Sequence, residues 1–293
     1  ARDSESEYVA LDSETTGLYP RDGHMIGISL SYDGKKGAYI DCDFIDATCE
    51  ALLQQVFDKK IVVFHNAKFD VSWFEYHFNF KFPRFEDTML QHYLIDENPG
   101  THGLKQLSLK HTKYGDYEKP MYDWIEKYRK MHGILKADFT WDMIPFDVMK
   151  TYAAMDAVCT YILYTKFKKA LDTNKKLTSV YENILKPGCR FLIDAENNGV
   201  PFDKNRLYKS QQLMGDVIED AAQRLDTYDA VQKYKQVTGD FNPNSTKQLR
   251  ELLFDYIGLQ PTGKLIGTGA HSTDAESLQN LAEEHEVPQL ILN

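Results

Sequence analysis

The stretch Tyr8-Val9-Ala10-Leu11-Asp12-Ser13-Glu14-Thr15-Thr16-Gly17-Leu18 decides how the rest of the chain is read. Its first four residues predict a short buried strand, and the chain turns polar at once with Asp12. Side chains two residues apart on extended backbone point the same way, so Asp12 and Glu14 face one side together. Carboxylate oxygens presented in that way suit hard cations such as Mg²⁺. A polar turn leaving a strand has the same composition, so the run needs support from elsewhere in the chain.

Outward from this run, Met25 to Tyr32 and Ala38 to Ile40 predict two further strands around the turn Asp33-Gly34-Lys35-Lys36-Gly37. Leu52, Leu53, Val56 and Phe57 recur at helical spacing, and Ile61-Val62-Val63-Phe64 reads as another buried strand. Phe69, Trp73, Phe74 and His77 then follow at helical spacing. Strand, strand, strand, helix, strand, helix is the order of an α/β domain, a mixed sheet with flanking helices. Residues 112–144 read as irregular and aromatic, and Pro145 opens a helix reaching about Leu171. The remainder reads as helical, beginning with Asp203 to about Leu225. A capping box at Ser245-Thr246-Lys247-Gln248 precedes Leu249, Leu252, Leu253 and Ile257, with Gly258 as the stop. Pro261 to His271 reads as a loop, and Thr273-Asp274-Ala275-Glu276 as a second capping box. The expected boundary falls after residue 172, giving domains of 1–172 and 173–293.

Two more acidic signals share the pattern of the first. Asn66-Ala67-Lys68-Phe69-Asp70 follows an apolar strand, with Asn66 either capping the next helix or touching a ligand, and Asp70 one turn in. Tyr152-Ala153-Ala154-Met155-Asp156 places a phenol and a carboxylate on one helix face. Asp12, Glu14, Asp70 and Asp156 brought together would repel one another unless cations filled the cluster. Two divalent cations, Mg²⁺ or Mn²⁺, balance the four charges. Held roughly 3.5–4 Å apart, such a pair clamps the attacking and leaving oxygens of a phosphoryl transfer. Tyr152 beside them would orient the attacking water.

Composition bounds the rest. The chain has 293 residues, 42% of them apolar and 27% charged, an ordinary globular balance with room for about two domains. No apolar run approaches the ~18 residues of a membrane helix, and the charged first residues do not read as a signal peptide. Cys42, Cys49, Cys159 and Cys189 form no CxxC pair and read as reduced thiols of a cytoplasmic protein. The formal net charge is −10 and both halves are acidic, which argues against sequence-independent coating of DNA. It does not exclude a nuclease whose acids hold cations.

The Asp-x-Glu-Thr-Thr-Gly-Leu, Asn-x3-Asp and Tyr-x3-Asp runs, in that order, resemble the three motifs of the DEDD-type 3′→5′ exonucleases, tyrosine subclass. Glu86-Asp87-Thr88-Met89 and Gly103-Leu104-Lys105-Gln106-Leu107 look like that family's intervening strings; His65 stands where bacterial relatives usually carry Gln. Asn198-Gly199-Val200-Pro201-Phe202-Asp203, then Phe241 to Leu249, then Ser272 to Glu276 and the terminal Leu290-Ile291-Leu292 are similar to the start of the polymerase part of family A DNA polymerases. In that family this stretch builds the lower thumb.

The resemblance implies a ribonuclease H-like exonuclease domain followed by a mostly helical partial thumb. It implies a proofreading nuclease in DNA replication, acting on single-stranded DNA 3′ ends in the cytoplasm of a bacterial or phage-infected cell. By motif position, Asp12, Glu14, Asp70 and Asp156 would be the metal ligands and Tyr152 the water-orienting residue. Thr15 would contact the terminal sugar, Leu18 would wedge against the last base or pack in the core, and Asn66 would hydrogen-bond the strand or only cap its helix. Tyr122, Trp124, Tyr128 and Trp141 either anchor a loop or stack on unpaired bases, and Lys264 either reaches duplex phosphates or sits in an ordinary loop. Nothing resembles the family's polymerase metal motifs. A palm-and-fingers part is therefore expected as a partner, in the same longer chain or as a separate subunit, and the apolar run Leu290 to Leu292 is expected to need cover from it. The alternatives are a ribonuclease D-like RNA-trimming enzyme and a non-catalytic polymerase-assembly module.

Overall fold

The structure is a computed structural model that describes residues 1–292. These residues form two compact units, Ala1–Gly199 and the residues from Val200 onward. The first is built on a sheet of β1 Tyr8–Thr15, β2 Met25–Ser31, β3 Ala38–Asp41, β4 Ile61–Phe64 and β5 Phe85–Asp87. The strand order is β3-β2-β1-β4-β5. β1, β2 and β3 form an antiparallel meander, whereas β4 lies parallel to β1 and β5 parallel to β4. Around the sheet lie α1 Ala47–Lys59, α2 Ala67–Phe78, α3 Thr88–Ile95, α4 Leu104–His111, α5 Lys119–His132, α6 Phe146–Asp172, α7 Lys175–Val180 and α8 Lys186–Asn198. This is the mixed sheet with flanking helices that the element order predicts.

Strand parity sorts the chemistry. Val9 and Leu11 turn to one face of the sheet, with Leu53 and Phe57 of α1 and Val71, Trp73 and Phe74 of α2. Ala10 turns to the other face, against Val63 of β4 and Tyr164 of α6. Asp12 and Glu14 share the parity of Ala10 and fall on the α6 side, while Ser13 falls on the α2 side. α6 itself lies across β1, β2 and β3. It comes close at Gly37, where a Cβ would stand 2.3 Å from the Ala154 carbonyl oxygen. A side chain there would push α6 off the sheet beside Tyr152 and Asp156.

Several expectations are corrected. β1 runs to Thr15 rather than stopping at Leu11, because Asp12 and Glu14 pair across to Ser29 and Gly27 of β2. The carboxylates are therefore held within the sheet. Residues 112–144 are not irregular throughout: α5 starts with Pro120 in its first turn, buries Met121 and Ile125 four apart, and ends on left-handed Gly133. Beyond residue 172, where the domain boundary is expected, the chain keeps packing on the first compact unit as far as Gly199. α8 packs on α2, Cys189 and Ile193 enter the core, and Arg190 holds Glu75 through two bonds of 2.7 and 3.0 Å.

The second unit contains α9 Lys204–Asp226, α10 Asp229–Thr238, α11 Thr246–Arg250, α12 Ala275–Leu281 and α13 Glu286–Leu292. Leu225, Val231, Tyr234, Leu249, Leu252, Leu253, Leu278 and Val287 form its core. Ser245 caps α11, but the Gln248 side chain takes the Asn242 N–H at 2.7 Å rather than that of Ser245. α12 is capped by Asp274, one residue later than expected, because its carboxylate accepts the Ser277 N–H at 3.0 Å. Leu290 is buried, and Ile291 and Leu292 are half-buried against the same core. The apolar run therefore finds cover within its own unit and supplies no argument for a missing partner; Asn293 lies outside the described residues. Among the described residues, no helix is long and apolar enough to cross a membrane.

Candidate active site

The site forms at the carboxyl ends of β1 and β4, neighbours in the sheet. After Phe64 the chain turns through Asn66, which holds a left-handed φ of 73° and makes no side-chain cap. The cap of α2 comes from Asp87. Its two oxygens accept the N–H groups of Ala67 (2.8 Å), Met89 (2.8 Å), Leu90 (3.2 Å) and Asn66 (3.3 Å). One buried carboxylate thus closes the amino ends of both α2 and α3. One turn into α2, Asp70 reaches back to β1, where its Oδ1 accepts the Ser13 N–H at 2.9 Å and the Ser13 hydroxyl at 2.6 Å.

On the α6 side, Asp12, Glu14 and Asp156 bring carboxylate oxygens within 4.8 Å of one another. Asp70 is outside that trio and is tied to it through Ser13. Glu14 Oε1 is buried and has no hydrogen-bond partner among the described residues. Burial and neighbouring charge raise Asp12 and Glu14 well above the usual carboxylate range, and burial pushes Asp70 up to about 7. An all-oxygen donor set, mutual repulsion and an orphaned buried oxygen together fit hard divalent cations.

Asp156 accepts hydrogen bonds from the Lys105 ammonium and the Tyr117 hydroxyl. The same ammonium lies 4.2 Å from the Tyr152 ring centroid. Burial, and then the charges of Asp156, Glu14 and Asp12, raise the Tyr152 phenol well above its ordinary value, so it stays protonated at neutral pH. It can donate a hydrogen bond but cannot serve as a base.

Leu18 is 75% exposed, which sets aside core packing for it. With Asn66, Lys68, Phe69, Trp73 and Tyr76 it lines a cleft of about 380 Å³. The Thr15 hydroxyl donates to the Gly17 carbonyl at 2.9 Å. Trp124, on α5, and Trp141 pack against the cluster that holds Met149 and Tyr152, whereas Tyr122 is 44% exposed. Lys264 is committed to Asp274 and Glu276, at 2.7 and 2.8 Å. His65 is buried, donates to or accepts from Thr88 at 2.8 Å, and is pushed down to about 3 by burial, so it is neutral. Sequence reasoning assigned no role to Lys105, Tyr117 or Asp87, although Lys105 and Asp87 stand inside strings it had singled out. A lysine or tyrosine carries no positional signature of the carboxylate it will meet.

The raised acids imply a pH dependence. A group whose pKa is higher folded than unfolded adds stability below its unfolded value and loses it as pH rises through its folded value. For Asp70 that loss runs from the ordinary 3.8 through about 7, and Asp12 and Glu14 act in the same direction. In EDTA, the melting temperature should fall as pH rises across this window. Excess Mg²⁺ should flatten the fall by holding the carboxylates ionised. Calorimetric melts at stepped pH check this, and a metal-free melting temperature that rises across the window contradicts it.

Comparison with known proteins agrees with this geometry. Residues 1–172 match a protein-family model described as 3′-5′ exonuclease, and residues 211–293 match one described as DNA polymerase family A. The chain belongs to the 3′–5′ exonuclease family found in family A DNA polymerases. It is 45% identical over 293 residues to a DNA polymerase of Escherichia phage T5, covering 97% of this chain and 34% of that protein. It is 27% identical to DNA polymerase I of Borreliella burgdorferi, covering 96% of this chain and 29% of that protein. Against DNA polymerase I of Pseudomonas aeruginosa the identity is 28%, covering 98% and 31%. The chain thus spans about a third of the length of these relatives. A solved structure of the POL domain of Pol1 from M. smegmatis, in complex with DNA primer-template and dNTP, superposes with a TM-score of 0.61 at 21% identity. That likeness covers 99% of this chain and 44% of that one, and it speaks for the fold alone.

Proposed function

We propose that the chain is a divalent-cation-dependent 3′→5′ exonuclease acting on single-stranded DNA 3′ ends, the proofreading part of a family A DNA polymerase. The observation that carries this reading is the Asp12, Glu14 and Asp156 trio with its orphaned Glu14 oxygen, beside Asp70. These four carboxylates would hold two cations, Mg²⁺ or Mn²⁺. When bound, such a pair supplies Lewis-acid stabilisation of the phosphoryl oxygens and a water of lowered pKa. In the reaction, water adds its oxygen to the terminal phosphorus and the P–O3′ bond breaks. A proton goes to the leaving 3′ oxygen, and a nucleoside 5′-monophosphate is released.

The chain's own residues prepare that step. Ser13 and Asp87 fix Asp70 and α2, and the sheet fixes Asp12 and Glu14. The protonated Tyr152 hydroxyl orients the attacking water. Leu18 and Asn66, on the cleft, and Thr15 would receive the last nucleotide. A palm-and-fingers part, in the same longer chain or as a separate subunit, would supply polymerase activity. The exposed apolar side chains Leu213, Met214, Val217 and Ile218 of α9, within the stretch that matches family A polymerases, support such a partner.

The test is digestion of 5′-labelled single-stranded DNA and of the matching RNA, in Mg²⁺ and in EDTA. Shortening of DNA from its 3′ end in Mg²⁺ alone is expected. Preference for RNA would favour an RNA-trimming enzyme, and no digestion of either would overturn catalysis. Tyr152→Phe should retain cation binding and the fold yet cleave about 10²–10⁴-fold more slowly. Equal rates for variant and wild type would reduce Tyr152 to a packing residue.

A further inference from the structure

Lys105 projects from the first turn of α4, an element that supplies none of the four carboxylates. Its ammonium donates to Asp156 Oδ1 and, at 3.2 Å, to the Tyr117 hydroxyl, which donates to the same Asp156 oxygen. Two aromatic rings cradle it, with centroids 4.2 Å (Tyr152) and 4.9 Å (Tyr117) away. The Lys105 side chain is 26% exposed and Asp156 is 5% exposed, so the lysine stands at the mouth and the carboxylate behind it. A flexible four-carbon stem lets an ammonium withdraw to solvent without moving the helix that bears it.

We propose that Lys105, steadied by Tyr117, is the resident counter-cation of this site: it occupies Asp156 until a divalent cation displaces it, and so sets the cation concentration at which the site fills. The inference rests on the reading of the four carboxylates as a cation centre. The physical reason is the sign of the charges. One ammonium partly neutralises a group of four acids and is attracted to it. Once divalent cations neutralise those acids, the ammonium is repelled and gives up the Asp156 oxygen it shares with the Tyr117 hydroxyl. Lys105 and Tyr117 are thus positioning residues that act through Asp156. They keep it in place while no cation does, at the expense of cation affinity.

The experiment is calorimetric titration of the full, metal-stripped 293-residue chain with MnCl₂ in the absence of DNA, beside melts in EDTA and in Mg²⁺. Lys105→Met keeps the stem and removes the charge. Its Kd for Mn²⁺ should fall by roughly tenfold or more, because a like charge has left the site. Its melting temperature should drop in EDTA, where Asp156 is left buried without its ammonium, and recover in Mg²⁺. Lys105→Arg keeps the charge and should stay close to wild type. Tyr117→Phe removes one donor without changing charge and should tighten binding by a smaller factor. A Lys105→Met chain that is unfolded in EDTA and folds on adding Mg²⁺ also supports the proposal. One that is unfolded in both overturns it, as does a folded variant whose Mn²⁺ Kd equals or exceeds that of wild type. If the wild-type chain takes up no Mn²⁺, the cation-centre reading itself falls, and this inference with it.

Discussion

Replacing Asp12 with Ala should leave the exonuclease unit folded, remove uptake of at least one cation, and slow digestion of single-stranded DNA by about 10²–10³-fold or more. The fold should survive because β1 owes its place to backbone pairing with β2 and β4 and to the burial of Val9, Ala10 and Leu11. None of these contacts uses the Asp12 carboxylate. The variant should in fact melt higher than wild type in EDTA. Asp12 is raised by burial and by Asp70, Asp156 and Glu14, so removing it relieves repulsion among the remaining acids. Gain of metal-free stability with loss of turnover is the mark of a site whose strain serves function. Wild-type digestion by Asp12→Ala in Mg²⁺, with unaltered cation uptake, would remove Asp12 from the site.

The largest loss of stability is expected from Asp87→Ala. The substitution strips acceptors from the N–H groups of Ala67, Met89, Leu90 and Asn66, at the starts of two helices. A single cap is worth ~1 kcal/mol, and buried donors left unpaired cost ~1–3 kcal/mol each. A loss of about 3 kcal/mol or more follows, a large part of the ~5–15 kcal/mol typical of a domain. Urea unfolding measures it. Asp87→Asn, which keeps one acceptor oxygen, should lie between. Because α2 carries Asp70, cleavage should fall along with stability. A loss below about 1 kcal/mol for Asp87→Ala would show that water replaces the carboxylate at both helix starts.

Much of the site is legible in the sequence. The alternation through Asp12, Ser13 and Glu14 gives the two faces of β1, and the four-residue spacing of Tyr152 and Asp156 gives the face of α6. What escapes is whatever depends on partners far along the chain. Asn66 reads as a helix cap because asparagine often caps, yet Asp87 caps α2 from a distant strand and leaves Asn66 in a left-handed turn. β5 is three residues with two carboxylates, too short for any periodicity to show. α5 was concealed by its aromatic residues, although Met121, Ile125 and Gly133 carried an ordinary helix signal. The packing of α8 on the first unit escaped because it runs through Arg190, Cys189 and Ile193, contacts made with residues more than a hundred positions earlier.

The placement of α6 across β1, β2 and β3 has a consequence for how the protein is made. The meander of β1 to β3 involves only near neighbours, so it can form early, with little loop to close. Its Ala10 face stays uncovered, and Asp12 and Glu14 stay wet, until α6 has been synthesised and docks. Because β2 sets Ser31, Ser29 and Gly27 opposite Ala10, Asp12 and Glu14, this waiting face is largely polar, and the nascent chain can leave it in water until α6 is made. Asp156 joins Asp12, Glu14 and Asp70 only with that docking. Full cation uptake should therefore appear only once α6 is in place.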